Sequence, residues 1–240
     1  MRIFITAGNT QALIDRVRCI TNIFTGRTGA RIALEAHRRG HDVTFATSHP
    51  ETVDTAVRDS PRFRLATYRT FEALDAVMAE QIGRQKQDAV VHCAAVNDYR
   101  TAGVFAPAST THFAEDGSWQ DPHQQPRLVD RAAGKVKSDE PELWLRLVRT
   151  PKLVDRIRTD WRFGGVLVKF KLEVGVTEDE LKQIAETSRQ QSQADWIVAN
   201  TLDGASDWAL LGNGLEYERV TRDALASTLL DALEKAVRHG

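Results

Sequence analysis

Apolar and polar positions alternate along this chain in two rhythms. Ile3, Phe4 and Ile5 form a short apolar run that closes at Gly8, which predicts a buried strand ending in a turn. After Gly29, Ile32, Ala33 and Ala36 share one helical face, and Gly40 is placed to stop that helix. Strands are expected over 42–46 and Phe63–Thr67. Phe71, Leu74, Val77, Met78 and Ile82 then recur at helical spacing up to Gly83, a core-facing stripe. Residues 88–95 read as an apolar strand and 143–148 as an alternating one. Thr150-Pro151 has the form of a cap and first residue for a helix carrying Leu153, Val154 and Ile157.

A buried strand over 165–170 follows, then Thr177 and Glu180 three residues on, a capping box for a helix through Gln193. Residues 195–199 are another strand, ending in Asn200. Residues 208–211 and 215–219 flank Gly212-Asn213-Gly214 as a hairpin, and Leu225, Leu229, Leu230 and Leu233 line a last helix. The stretch 101–139 is the least regular, with Pro107, Pro122 and Pro126. Such a stretch inside a domain is a lid, an interaction arm or a disordered loop. Strand–helix alternation predicts one α/β domain over 1–240. Its sheet is doubly wound, mostly parallel and Rossmann-like, with helices on both faces and a long lid or dimerisation loop at 101–139.

Charge narrows the partners. The 240 residues carry 32 basic and 33 acidic side chains, interspersed, for a net charge of −1. That balance points away from nucleic acid and from membrane surfaces. Cys19 and Cys93 stand in no C-x-x-C spacing, so no disulfide framework is expected and a reducing cytoplasm fits. His37 and His41 share helical spacing but flank Gly40, and H-E-x-x-H is absent, so no metal site is expected. Residue 1 leads straight into a strand, so neither a leader nor a membrane span is expected.

The candidate chemistry gathers near the first turn. About twenty residues connect the first strand to its helix, where ~2–6 is usual, which marks a working loop. Gly26-x-x-Gly29 opens the helix, where free N–H groups and the helix dipole favour anions. Thr25 and Thr28 add hydroxyls, and Arg18 and Arg27 add charge. The stretch reads either as a phosphate cradle or as a glycine-rich turn capped by Thr28. Neither G-x-G-x-x-G nor G-x-x-x-x-G-K-[ST] is present. The second strand ends in Ala46-Thr47-Ser48-His49 without the ribose-binding acid of an NAD site. Ala94 and Ala95, at a strand's carboxyl end, leave room for a ligand. Asp98 beyond them either binds a ligand hydroxyl or metal, or caps a turn. Lys135 and Lys137 share a face if their segment is extended, and otherwise form a solvated basic loop.

Taken together, these segments resemble the phosphopantothenate–cysteine ligase family (phosphopantothenoylcysteine synthetase) in its stand-alone form, over nearly the whole chain except 102–131. The resemblance rests on Thr6-Ala-Gly-Asn-Thr, Ile14-Asp-Arg-Val-Arg18, Thr21-Asn22 with Thr25-Gly26, Ala94-Ala95-Val96-Asn97-Asp98-Tyr99 and Gly134-Lys135-Val136-Lys137-Ser138. It continues through Arg149-Thr150-Pro151-Lys152, Phe170-Lys171-Leu172-Glu173 and Ala194-Asp195-Trp196-Ile197-Val198-Ala199-Asn200. The resemblance implies a ligase of coenzyme A synthesis that joins 4′-phosphopantothenate to cysteine. CTP or ATP activates the carboxylate as an acyl nucleotide, and cysteine then displaces the nucleoside monophosphate.

Carried over by position, Lys135 is the cation beside the α-phosphate and Asn22 the amide that holds the acyl group. Arg18 and Ala95 match positions of that second half-reaction. Gly8, Ala94, Ala95, Asp98, Lys137 and Phe170 match the nucleotide site. Asn22, Arg18, Thr25, Gly26 and Arg27 match the substrate site. Mg²⁺ is implied with the triphosphate, no flavin is expected, and a homodimer through the lid region is implied.

The chain departs from the family at Ile23-Phe24, where His-Ser or Arg-Ser is usual. It departs again at Ser188 and Ser192, where bifunctional relatives carry lysines; Arg27 stands for the usual lysine after Gly26. Two other readings stay open. One is a nucleotide- or pantothenate-binding homologue with weakened turnover, and the other an NAD(P)-dependent Rossmann reductase.

Overall fold

The computed structural model describes residues 1–122, 125–214 and 216–239. The chain divides into two compact units. The first is built from Met1–Thr10, Ile23–Val96 and Lys152 onward, the second from Gln11–Asn22 and Asn97–Pro151. The segment expected as an insertion at 101–139 lies within the second unit, apart from positions 123 and 124, which lie outside the described residues.

The first unit holds strands β1 (Arg2–Ala7), β2 (Asp42–Thr47), β3 (Phe63–Thr67), β4 (Ala89–His92), β5 (Val166–Glu173), β6 (Trp196–Thr201), β7 (Trp208–Gly212) and β8 (Tyr217–Thr221). Its helices are α1 (Arg27–Arg38), α2 (Phe71–Gly83), α3 (Leu153–Thr159), α4 (Glu178–Gln191) and α5 (Leu225–His239), with single turns at Pro50–Thr52 and Thr55–Arg58. Across the eight-stranded sheet the order is β3-β2-β1-β4-β5-β6-β7-β8. The first six strands in that order are parallel, and β7 and β8 add an antiparallel hairpin. Leu215, expected in the hairpin, lies outside the described residues.

Strand periodicity assigns the two faces. Ile3 and Ile5 pack with Ile32, Ala33 and Ala36 of α1 and Leu229, Leu230 and Leu233 of α5. Phe4, between them, packs with Leu74 and Met78 of α2 and Leu153 and Ile157 of α3. Leu181 and Ala185 of α4 cover Ile197, Ala199 and Leu210. Helices on both faces of a mostly parallel sheet are therefore present as expected. Each fully buried side chain of this size contributes roughly 1.5–3 kcal/mol.

Some boundaries differ from expectation. Helix α1 begins at Arg27 with Gly26 as its cap in a left-handed conformation, so Thr28 sits inside the first turn instead of capping it. Helix α3 begins at Leu153 with Lys152 as cap, so Thr150 and Pro151 do not open it. The Thr150 hydroxyl instead donates to the Asn97 carbonyl at 2.7 Å, within the second unit. Strand β4 stops at His92, leaving Ala94 and Ala95 beyond it. The capping box at Thr177 is formed: its hydroxyl accepts from the Glu180 N–H, and the Glu180 carboxylate accepts from the Thr177 N–H.

The second unit corrects the expectation of irregularity over 101–139. Residues Tyr99–Pro107 form the central strand of an antiparallel sheet, flanked by Leu128–Asp130 and Trp144–Arg149. Gln11–Leu13 and Cys19–Thr21 pair as a hairpin inside the long first connection. His112–Phe113 and Trp119–Gln120 pair as another, and Phe113, Trp119 and Trp144 stack with centroids 4.7–5.1 Å apart. Strands of two or three residues are too short to show a period, and Ala102 and Gly103 blur the longest one. No described helix is long and apolar enough to cross a membrane.

Candidate active site

In an open parallel sheet of this order, ligands bind beyond the carboxyl ends of the strands where the order reverses, between β1 and β4. Here the segments that follow β1 and β4 stay joined past the ends of the paired strands. The Cys93 N–H donates to the Thr6 carbonyl at 3.0 Å and the Ala95 N–H to the Gly8 carbonyl at 2.8 Å. A cavity of about 680 Å³ lies in the first unit, and Gly8, Thr25, Gly26, Arg27, Ala94, Ala95 and Phe170 line it. These were all expected site residues, and the fold brings them to one place. Ile23 and Phe24, the departures from the family pattern, line it as well.

The glycines permit the close approach. Gly26 has φ +81°, and a Cβ on it would lie 2.3 Å from the Gly8 nitrogen. A Cβ on Gly29 would lie 2.4 Å from the Ala7 Cβ. The first turn of α1 is thus set against the end of β1, with no side chain capping its N-terminus.

The cavity wall carries Arg27, Lys171 and Arg222 and, among the described residues, no carboxylate. Lys171 is paired with Glu173 at 2.8 Å. Arg222, just after β8, is half-buried and donates to the Thr28 hydroxyl. Burial lowers its pKa from the ordinary value, and among the described residues no carboxylate pairs with it. Sequence reasoning missed Arg222. Nothing local in Thr-Arg-Asp marks it, and only the return of the hairpin brings it to α1. The Cys93 thiol on the same wall is pushed up to about 12 by burial, so it is a neutral surface at physiological pH.

A buried polar row lies across three strands. Thr6 Oγ1 and His92 Nδ1 are 2.8 Å apart, and Lys169 stands beside His92 in register. The Lys169 ammonium donates to the Ser188 carbonyl at 2.8 Å and the Ser192 hydroxyl at 2.5 Å. Burial pulls Lys169 down to about 8. The two serines at the expected lysine positions thus receive an ammonium from the neighbouring strand.

The second unit holds the remaining expected residues: Arg18, Asn22, Asp98, Lys135 and Lys137. The Asn22 amide donates to the Asn97 side-chain oxygen at 3.1 Å, and Asn97 donates to the Ile20 carbonyl at 3.2 Å. Lys135 and Lys137 are exposed on either side of Val136, which is 3% exposed, so the two ammonium groups alternate with an inward side chain. The Asp98 carbonyl accepts from the Thr150 N–H at 2.9 Å, while the residue is exposed. Arg18 is ion-paired with Asp15 at 2.6 Å, which holds that carboxylate far below the usual range. Among the described residues no group of three or more His, Cys, Asp or Glu is placed to hold a metal ion.

The chain is also similar to known proteins. Residues 1–108 and 127–235 match the family described as the DNA/pantothenate metabolism flavoprotein C-terminal domain. The chain is similar to the coenzyme A biosynthesis bifunctional protein CoaBC of Thermococcus kodakarensis, 32% identical over 98% of this chain and 51% of that protein. It is similar to the CoaBC protein of Escherichia coli K12, 30% identical over 83% of this chain and 41% of that one. It therefore spans about half the length of these relatives or less. Among solved structures it resembles the DNA/pantothenate metabolism flavoprotein from Streptococcus pneumoniae. There the TM-score is 0.78 and the identity 27%, over 98% of this chain and 99% of that one.

Proposed function

The chain belongs to the DNA/pantothenate metabolism flavoprotein C-terminal domain family, and from that premise we propose that it is a ligase joining 4′-phosphopantothenate to cysteine with a nucleoside triphosphate. The observation that carries the reading is the cavity beyond β1 and β4: Arg27, Arg222 and a Lys171 paired with Glu173 share its wall with the uncapped start of α1, and among the described residues no carboxylate lines it. A polyanion is the ligand such a wall favours.

The proposed reaction has two steps. A carboxylate oxygen of phosphopantothenate attacks the α-phosphorus, and pyrophosphate leaves. The cysteine amine then attacks the acyl carbon, the nucleoside monophosphate leaves with the bridging oxygen, and the amine gives up its proton. Two anions meet in the first step, so a cation at the α-phosphate lowers its barrier; Lys135 has that role. In the second step charge develops on the acyl oxygen, and the Asn22 amide holds it. Gly8, Ala94, Ala95 and Phe170 shape the nucleotide's place, with Asp98 and Lys137 assigned to it. Thr25, Gly26, Arg27 and Arg222 offer N–H, hydroxyl and guanidinium donors to phosphate.

Magnesium enters on the triphosphate as part of the substrate, because the cavity wall supplies no carboxylate to hold a resident ion. Use of CTP or ATP, a cytoplasmic location and a homodimer belong to the same proposal.

The test is purified protein with phosphopantothenate, cysteine and each triphosphate in turn. Pyrophosphate release that requires phosphopantothenate, with phosphopantothenoylcysteine seen by mass spectrometry, is the expected result. Nucleotide binding without pyrophosphate release would favour the second reading, a homologue with weakened turnover. Ile23, 82% exposed where the family carries polar residues, motivates that reading.

A further inference from the structure

The carboxylate of Asp15 is fully buried, yet it lies in a turn whose next five residues are exposed. Its two oxygens are fully used. Oδ1 accepts from the Val17 N–H at 2.8 Å and the Arg18 N–H at 2.7 Å. Oδ2 accepts from Arg18 Nε at 3.0 Å, from Arg18 Nη2 at 2.6 Å and from the Val136 N–H at 3.0 Å. Arg18 Nη2 also donates to the Val136 carbonyl at 2.5 Å. One residue after Asp15 and two before Val136, the Arg16 N–H donates to the Gly134 carbonyl at 3.1 Å. The segment that carries Lys135 is therefore tied at three main-chain points to a turn more than a hundred residues away in sequence.

Resting on the ligase reading, we propose that Asp15 is a positioning residue for Lys135, and that Arg18 serves the reaction through the same contact. Both polar groups of Val136 are held, one by the carboxylate and one by the guanidinium paired with it. With the Val136 main chain held at both its polar groups and its side chain inward, the backbone that carries Lys135 and Lys137 is fixed on either side, and both lysines are exposed. The ammonium groups are then presented from a held backbone instead of a free loop, which lowers the ordering cost at the moment of reaction. Only an ionised carboxylate accepts from all of these donors. An asparagine in its place has one acceptor oxygen and turns an NH₂ group toward N–H donors.

Two measurements test this. Pyrophosphate release is followed in Asp15→Asn, Lys135→Ala and the double variant. In the first, the turnover rate is expected to fall roughly 10- to 100-fold, with the nucleotide KM changed by less than about threefold. In the Lys135→Ala background, Asp15→Asn is expected to cost less than about twofold, because its effect passes through that lysine. Multiplying losses would overturn the proposal. Hydrogen exchange then reads the clamp without any turnover: the Val136 amide is expected to exchange faster in Asp15→Asn and in Arg18→Met. Unchanged exchange in both variants defeats the clamp. Wild-type protein that never releases pyrophosphate defeats the ligase reading, and the exchange result still judges the clamp.

Discussion

The Gly26 backbone lies against that of Gly8 so closely that a Cβ on Gly26 would stand 2.3 Å from the Gly8 nitrogen and 2.8 Å from its Cα. Backbone cannot give way as a flexible side chain can, and φ +81° adds strain for any L side chain. Gly26→Ala is expected to destabilise the protein by at least roughly 2 kcal/mol, a fall of several degrees in Tm. Calorimetry checks this, and a Tm within one or two degrees of wild type contradicts the packing described.

Asn22→Ala separates the two half-reactions. Acyl-nucleotide formation, followed as pyrophosphate, is expected to persist, while amide formation slows by about 2.7–4 kcal/mol of barrier, or ~10²–10³-fold. Rapid quench with labelled nucleotide resolves the steps. Equal loss in both would remove Asn22 from its assigned role.

Arg222→Ala is expected to weaken triphosphate binding about 10-fold or more and nucleoside binding much less, since a charged hydrogen bond contributes roughly 1.5–3 kcal/mol. Calorimetric titration with triphosphate, diphosphate and nucleoside gives the comparison. A uniform loss across all three would mean that Arg222 shapes the cavity without gripping phosphate.

The two cysteines should differ in reactivity. Cys19 is exposed, whereas the Cys93 thiol is held up to about 12 by burial. Thiolate is the reacting form. At pH 8, iodoacetamide is expected to label Cys19 and spare Cys93 in the folded protein, as peptide mass spectrometry can show. Comparable labelling at both would mean that the reagent and water reach the Cys93 sulfur through the cavity it lines.

His92 gives the acid limb of stability. Burial pushes it down to about 4, with Lys169 adding to the effect. Unfolded chain takes up this proton near pH 6.5 and folded chain only near 4, so between those values the unfolded form binds more protons. The contribution is therefore intact above about 6.5 and is lost as pH falls to about 4, by up to ~1.4 kcal/mol per pH unit. Urea midpoints at pH 7 and pH 4.5 should differ less in His92→Asn than in wild type.

Local rules made part of this structure legible. Phe71–Gly83 and Phe63–Thr67 have the boundaries that their patterns predict, because a helical stripe or an apolar run with punctuation is decided within its own segment. Thr177 and Glu180 announced their helix for the same reason. Gly8, Ala94 and Ala95 were legible from the strands they follow, Thr25, Gly26 and Arg27 from the glycine-opened helix, and Phe170 through the resemblance alone. Arg222 and the Asp15–Val136 contact were not. Each depends on a partner more than a hundred positions away, and neither residue type is unusual where it stands. Of the two readings of the Gly26–Gly29 stretch, the one with Thr28 as cap fails, because a left-handed Gly26 holds the cap position without any side-chain hydrogen bond.

The second unit is written in two instalments, and that has a consequence for synthesis. The hairpin formed by Gln11–Leu13 and Cys19–Thr21 emerges from the ribosome long before Asn97, the partner of Asn22 some 75 residues later. At ~5–20 residues per second it waits on the order of 4–15 s, with Ala12 and Asp15, both buried in the folded protein, still uncovered. The nascent chain is most open to chaperones, and to wrong partners, in that interval.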